Sequence, residues 1–139
     1  MKLEPKHLVP YLPYNLKFKE INYGGTHLLC GIIENELWFK DNYGDNYNSI
    51  ISDESMKPTF HQLSDFQEEH IEEIKEFLDQ KWCEVYDDFF DALFEHDWLM
   101  HTRILMCPYE ILQWFFKNHY DVFGLIEENL AIDINTLNK

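Results

Sequence analysis

The sequence predicts an α+β domain in which an N-terminal antiparallel β-meander of three to five strands is packed by C-terminal helices. Two observations carry this. Before residue 64, short runs alternate apolar and polar side chains between turn-forming residues; after it, apolar residues recur at helical spacing. The 139 residues include 45% hydrophobic and 17% aromatic side chains, enough for one core, so residues 1–139 are read as a single domain.

Pro5, Pro10 and Pro13 remove backbone donors near the start and limit that segment to irregular structure or one helical turn at His7 to Leu12. Leu16 to Ile21 alternates, and Asn22-Tyr23-Gly24-Gly25 then supplies turn residues that tolerate positive φ, which reads as a strand and a hairpin. His27 to Ile33 and Leu37 to Phe39 are β-rich around Glu34-Asn35-Glu36 and complete a three-stranded meander. Asp41 to Ser49 is dense in turn formers and reads as an exposed loop, with short strands following at Ser49 to Ser52 and Thr59 to Leu63.

Ser64 and Gln67 have capping-box spacing and predict a helix start. Phe66, Ile71, Ile74, Phe77, Leu78, Trp82 and Val85 continue at helical spacing, with Phe89, Leu93 and Phe94 beyond, as one long helix or two consecutive ones. Pro108 opens a further helix to about Asn118, with Ile111, Leu112, Phe115 and Phe116 on its apolar side. Residues 120–139 fit helix and strand equally.

The formal net charge of −15 excludes some partners. Affinity for nucleic acid or an anionic membrane surface depends on clustered Lys and Arg, so direct binding to either is not expected. No run approaches the roughly 20 apolar residues of a membrane span, and the start lacks a signal-type apolar stretch, so a cytoplasmic location is expected. Cys30, Cys83 and Cys107 lack metal-type spacing and read as reduced, mostly buried thiols.

The charge is concentrated. Residues 1–64 carry a net −2, 65–97 a net −11 and 98–139 a net −2. Glu68, Glu72, Glu76 and Asp79, then Glu84, Asp88 and Asp91, follow at three- to five-residue steps opposite the apolar positions. Like-charge pairs four residues apart cost a helix about 0.2–0.5 kcal/mol each, and only Lys75 and Lys81 are placed to relieve them. The stripe has two readings. It is a solvated face that keeps an aromatic-rich protein soluble, or it is an anionic recognition surface. In the second, carboxylates about 5–6 Å apart occupy the basic groove of a nucleic-acid-binding protein.

No specific catalytic pattern is present. Glu95, His96, Asp97 and His101 place several N and O donors close together in sequence, but there is no HExxH, and Gln67 stands where an ExxH pair with His70 would need glutamate. Cys107 precedes a predicted helix N-terminus, where the dipole would favour a thiolate, but a buried structural thiol is the preferred reading. No P-loop, GxSxG or GxGxxG occurs. Neither a cofactor, a metal site nor a catalytic residue is therefore assigned, and a small metal-dependent enzyme stays as a third alternative. Trp82, Phe89, Phe90, Trp98, Trp114, Phe115 and Phe116 read mostly as core, with any surplus available for self-association or an aromatic partner surface.

Three blocks carry a resemblance: His7-Leu8-Val9-Pro10-Tyr11-Leu12-Pro13-Tyr14, Lys57-Pro58 through Leu63-Ser64-Asp65, and Trp114 through Leu137. Together they resemble small, uncharacterised phage- and prophage-encoded proteins of Bacteroidetes-type bacteria. The resemblance implies a mobile-element origin and supplies no site. The function expected from charge and resemblance together is that of a non-catalytic interaction module. It would inhibit a host nucleic-acid-binding protein through Glu68, Glu72, Glu76, Asp79, Glu84, Asp88 and Asp91, or else serve as an accessory protein with an aromatic interface.

Overall fold

The computed structural model describes residues 1–22, 24–40, 46–79, 84–95, 104–105 and 107–138. Its sheet has six strands: β1 (Lys17–Glu20), β2 (Thr26–Ile33), β3 (Glu36–Lys40), β4 (Asn46–Ile50), β5 (Met56–Phe60) and β6 (Ile132–Asp133), in the order β4-β3-β2-β1-β5-β6. The first five pair antiparallel, and β6 joins β5 in parallel. The helices are α1 (Pro5–Leu8), α2 (His70–Leu78), α3 (Glu84–Glu95) and α4 (Tyr109–Lys117). The α+β expectation therefore holds, with one parallel strand added.

Alternation explains the sheet. Phe18 pairs with His27 and Pro58 and faces the core with Leu29, Leu37, Phe39 and Phe60, all of which are buried. Lys17 lies opposite Leu28, which lies opposite Lys40, and Lys19 lies opposite Lys57, so these four lysines share the other face. Glycine matters at the β1–β2 hairpin. Gly24 takes φ +76° and donates its N–H to Glu20, a conformation that side-chain-bearing residues rarely adopt.

The structure corrects several expected boundaries. α1 starts at Pro5 and gives way to a 3-10 segment, Val9–Tyr14, because Pro10 and Pro13 cannot donate to a continuing α-helix. Within the expected loop at Asp41 to Ser49, residues 46–50 form edge strand β4, and 41–45 lie outside the described residues. The strand placed at Ser49 to Ser52 is therefore this earlier one, and that placed at Thr59 to Leu63 is β5, which ends at Phe60. Ser64 caps no helix. Gln62 and Asp65 form the capping pair of a 3-10 turn, Leu63–Asp65, Phe66 is extended, and α2 begins at His70. The last residues are turns, β6 and a 3-10 segment, Ile134–Asn138.

The core lies between the sheet and the helices. Tyr11, in the 3-10 segment, packs on Phe60 from β5 and Phe116 from α4, with ring centroids 4.7 and 5.0 Å apart. Phe66 gathers the helical side, touching Phe90 and Phe94 of α3 and Trp114 and Phe115 of α4. Asp121 is buried, and its two carboxylate oxygens accept the N–H groups of Leu125 (2.8 Å) and Ile126 (2.9 Å), which fixes the turn leading to β6.

Two histidines in the N- and C-terminal connections make stability depend on pH. His7 Nδ1 accepts the Glu4 N–H at 3.0 Å, and His119 Nε2 lies 2.7 Å from the Tyr14 carbonyl. Burial holds both below the ordinary value of 6.5. The unfolded chain therefore binds more protons than the folded one just below that value. Their contribution is complete above 6.5 and is lost as pH falls through the lowered folded values. The urea midpoint is expected to fall between pH about 7.5 and about 5.5, and His119→Gln should flatten that slope. An identical slope in the variant would show that His119 does not contribute.

Candidate functional site

The acidic stripe is built by α2, α3 and the residues flanking them. In α2, Ile74 and Leu78 are buried and Phe77 is partly covered by Lys117, whose Nζ lies 5.0 Å from the ring centroid. In α3, Phe90 and Leu93 are buried. This apolar periodicity leaves the carboxylates on the opposite side: Glu68, Glu72, Glu76, Asp79, Glu84, Asp88 and Asp91 are all exposed.

They do not form one continuous helical row. Glu68 precedes α2, and Asp79 follows it with φ 51° and ψ −119°, outside the helical region, which ends the helix. Glu84, Asp88 and Asp91 belong to α3. Lys75 links the two helices, with Nζ 3.5 Å from Glu72 and 3.8 Å from Asp87. These groups are solvated, so the two ion pairs contribute on the order of 0–1 kcal/mol each, and only the one to Asp87 crosses from α2 to α3. The surface is thus two short carboxylate rows joined at one lysine, and Lys81 lies outside the described residues.

The other candidates separate clearly. Phe90, Trp114, Phe115 and Phe116 are buried and Phe89 is half-buried, whereas Trp82 and Trp98 lie outside the described residues. Burial pushes the Cys107 thiol up to about 12, so it stays protonated at neutral pH. Cys30, expected to be buried, is exposed on β2, with Sγ donating to the Trp38 carbonyl at 3.3 Å; Cys83 lies outside the described residues. So do His96, Asp97 and His101. Among the described residues no three His, Cys, Asp or Glu side chains converge on a metal position, and no helix is long and apolar enough to cross a membrane.

A second feature was not legible in the sequence. His61, Asp65, His70, Glu73, Trp114, Asn118, Tyr120 and Asn135 line a polar cleft of about 420 Å³. They come from the end of β5, the 3-10 turn, α2, the end of α4 and the C-terminal 3-10 segment. No periodicity links those segments. The only local hint is that His61 and Asp65, like His70 and Glu73, recur at one-turn spacing.

No family model matches the chain, and neither a curated protein nor a solved structure does.

Proposed function

We propose that this chain is a non-catalytic protein-interaction module acting in the cytoplasm, and that its paired acidic rows receive a basic, nucleic-acid-binding protein. One observation supports the reading most. All seven stripe residues are exposed, while the apolar faces of the same helices are used in the core. The carboxylates are therefore free of any packing duty that would explain their density, and such clustering costs helix stability. In the phage setting that the sequence resemblance suggests, such a surface would compete with nucleic acid for the partner's phosphate-binding groove. Burial of the described aromatic candidates makes the aromatic-interface alternative the second reading.

The test combines capture from host lysate at low and high salt with reversal of Glu72, Glu76 and Asp88 to lysine. Capture of a basic protein is expected at low salt, to be lost at high salt and lost in the triple variant. Lys17→Glu with Lys40→Glu, on the opposite face of the sheet, should leave capture intact. Urea unfolding of each variant checks that it is folded. A partner retained by the folded triple variant would refute the acidic surface as its binding site.

A further inference from the structure

We infer that the cleft between the 3-10 turn at Leu63–Asp65, α2 and the end of α4 is a guanidinium-binding site, the kind of pocket that takes an arginine side chain. The inference deepens the reading of a basic partner and rests on it only for the source of the group.

The polar groups of the cleft are preorganised and rich in acceptors. Asp65 Oδ2 accepts the Gln62 N–H (3.2 Å) and the Asn135 side-chain amide (2.9 Å), and lies 4.0 Å from His61 Nδ1. The Asn118 amide donates to the Trp114 carbonyl at 2.9 Å. Each asparagine thus commits an amide N–H within the fold and keeps its carbonyl oxygen uncommitted among the described residues. Glu73 adds a second carboxylate. His70 Nδ1 accepts the Gln67 N–H at 2.8 Å, which places its proton on Nε2.

Tyr120 is the independent sign of a ligand. It lines the cleft and is only 5% exposed, yet its hydroxyl has no hydrogen-bond partner among the described residues. That oxygen opens on the cleft, where a bound donor can reach it. Burial first, then the charges of Asp65 and Glu73, push the phenol up to about 12, so it remains neutral. Its ring stacks on Trp114 with centroids 5.6 Å apart, giving the cleft an aromatic floor.

These features select among ligands. Two carboxylates repel anions, and the absence of any three converging ligands among the described residues disfavours a metal ion. An ammonium is compact and strongly hydrated, whereas a guanidinium is planar, weakly hydrated and carries five N–H donors in a fixed fork. Acceptors spread over Asp65, Glu73, Asn118, Asn135 and the Tyr120 oxygen match that fork better than a point charge.

The experiment titrates the full chain with N-acetyl-arginine amide and with N-acetyl-lysine amide, following histidine and tyrosine ring resonances by NMR. Saturable millimolar binding of the arginine compound is expected, at least about tenfold tighter than the lysine compound. Glu73→Gln and Tyr120→Phe should each weaken it by about tenfold, and Glu127→Gln should leave it unchanged. Absence of saturation, equal binding of the two compounds, or insensitivity to both cleft variants would overturn the site.

A second arm uses an arginine-containing peptide with basic neighbours. If the group belongs to a partner protein, the peptide binds more tightly than the amide and loses that advantage when Glu72, Glu76 and Asp88 are reversed. Equal affinities instead assign the site to a small free guanidine. A partner still captured by the folded triple variant, with saturable amide binding, would sink the acidic-surface reading alone. Salt-sensitive capture that the triple variant loses, with no amide binding, would sink the cleft alone.

Discussion

Replacing Phe66 by alanine is expected to lower stability by about 3–5 kcal/mol, the range for truncating a fully packed aromatic side chain. Phe66 is 2% exposed and occupies an extended link (φ −72°, ψ 128°) between the 3-10 turn and α2. Its ring lies parallel to Phe94 at 5.8 Å and near-parallel to Phe90 at 5.9 Å, and meets Trp114 edge-on at 5.6 Å. Phe115 approaches to 5.0 Å and Tyr120 to 6.2 Å. Alanine would leave a cavity among side chains from α3, α4 and the following turn, which cannot all collapse into it at once. Phe66→Leu keeps much of the volume and should lose distinctly less. Urea unfolding followed by tryptophan fluorescence reads the difference as a shift in midpoint. A loss below about 1 kcal/mol for the alanine variant would contradict the packing described.

Tyr11→Phe is expected to cost about 1–3 kcal/mol although it removes a single oxygen atom. Tyr11 is fully buried, and its hydroxyl donates to the Tyr120 carbonyl while accepting the Val122 N–H at 3.1 Å. Phenylalanine preserves the ring contacts with Phe60 and Phe116 but removes both hydroxyl bonds, leaving the Val122 N–H and the Tyr120 carbonyl only the 2.9 Å bond they make with each other in the interior. The discriminating comparison is Tyr14→Phe. Tyr14 is only half-buried, and it is the backbone carbonyl of that residue, untouched by the substitution, that pairs with His119, so the variant should change stability little. A cost for Tyr11→Phe as small as that for Tyr14→Phe would mean that the bridging hydroxyl contributes nothing.

What could be read in advance follows the range of the interactions. β1 to β3 were legible because alternation and Gly24 are local signals, and α4 because Pro108 and the Ile111, Phe115 and Phe116 positions are as well. β4 was hidden since an edge strand of sequence Asn-Tyr-Asn-Ser-Ile, paired on one side with β3, needs little apolar alternation. The helix start was misplaced because Ser64-x-x-Gln67 imitates the motif that Gln62-x-x-Asp65 satisfies two residues earlier. Two-residue β6 has no local signature; it exists because Thr59 and Phe60 offer it a place. Exposure of the acidic residues followed from the apolar positions facing the core. The cleft did not, because five separate segments meet there only after folding.

The bridge from Tyr11 to Val122 also governs the order in which the molecule can form. It joins residues 111 positions apart, and β5 gains its parallel neighbour only from Ile132–Asp133. Contacts of such sequence separation carry a loop-closure cost before they return any stability, which slows folding. While the chain is being made, the β1–β4 meander can pair early, but its 3-10 segment must keep an unpaired tyrosine hydroxyl and an uncovered aromatic face until residues 116–133 arrive. Until residues 116–133 are made, the meander lacks the segments that cover its core, and that uncovered face is where a chaperone or an aggregating neighbour would meet it.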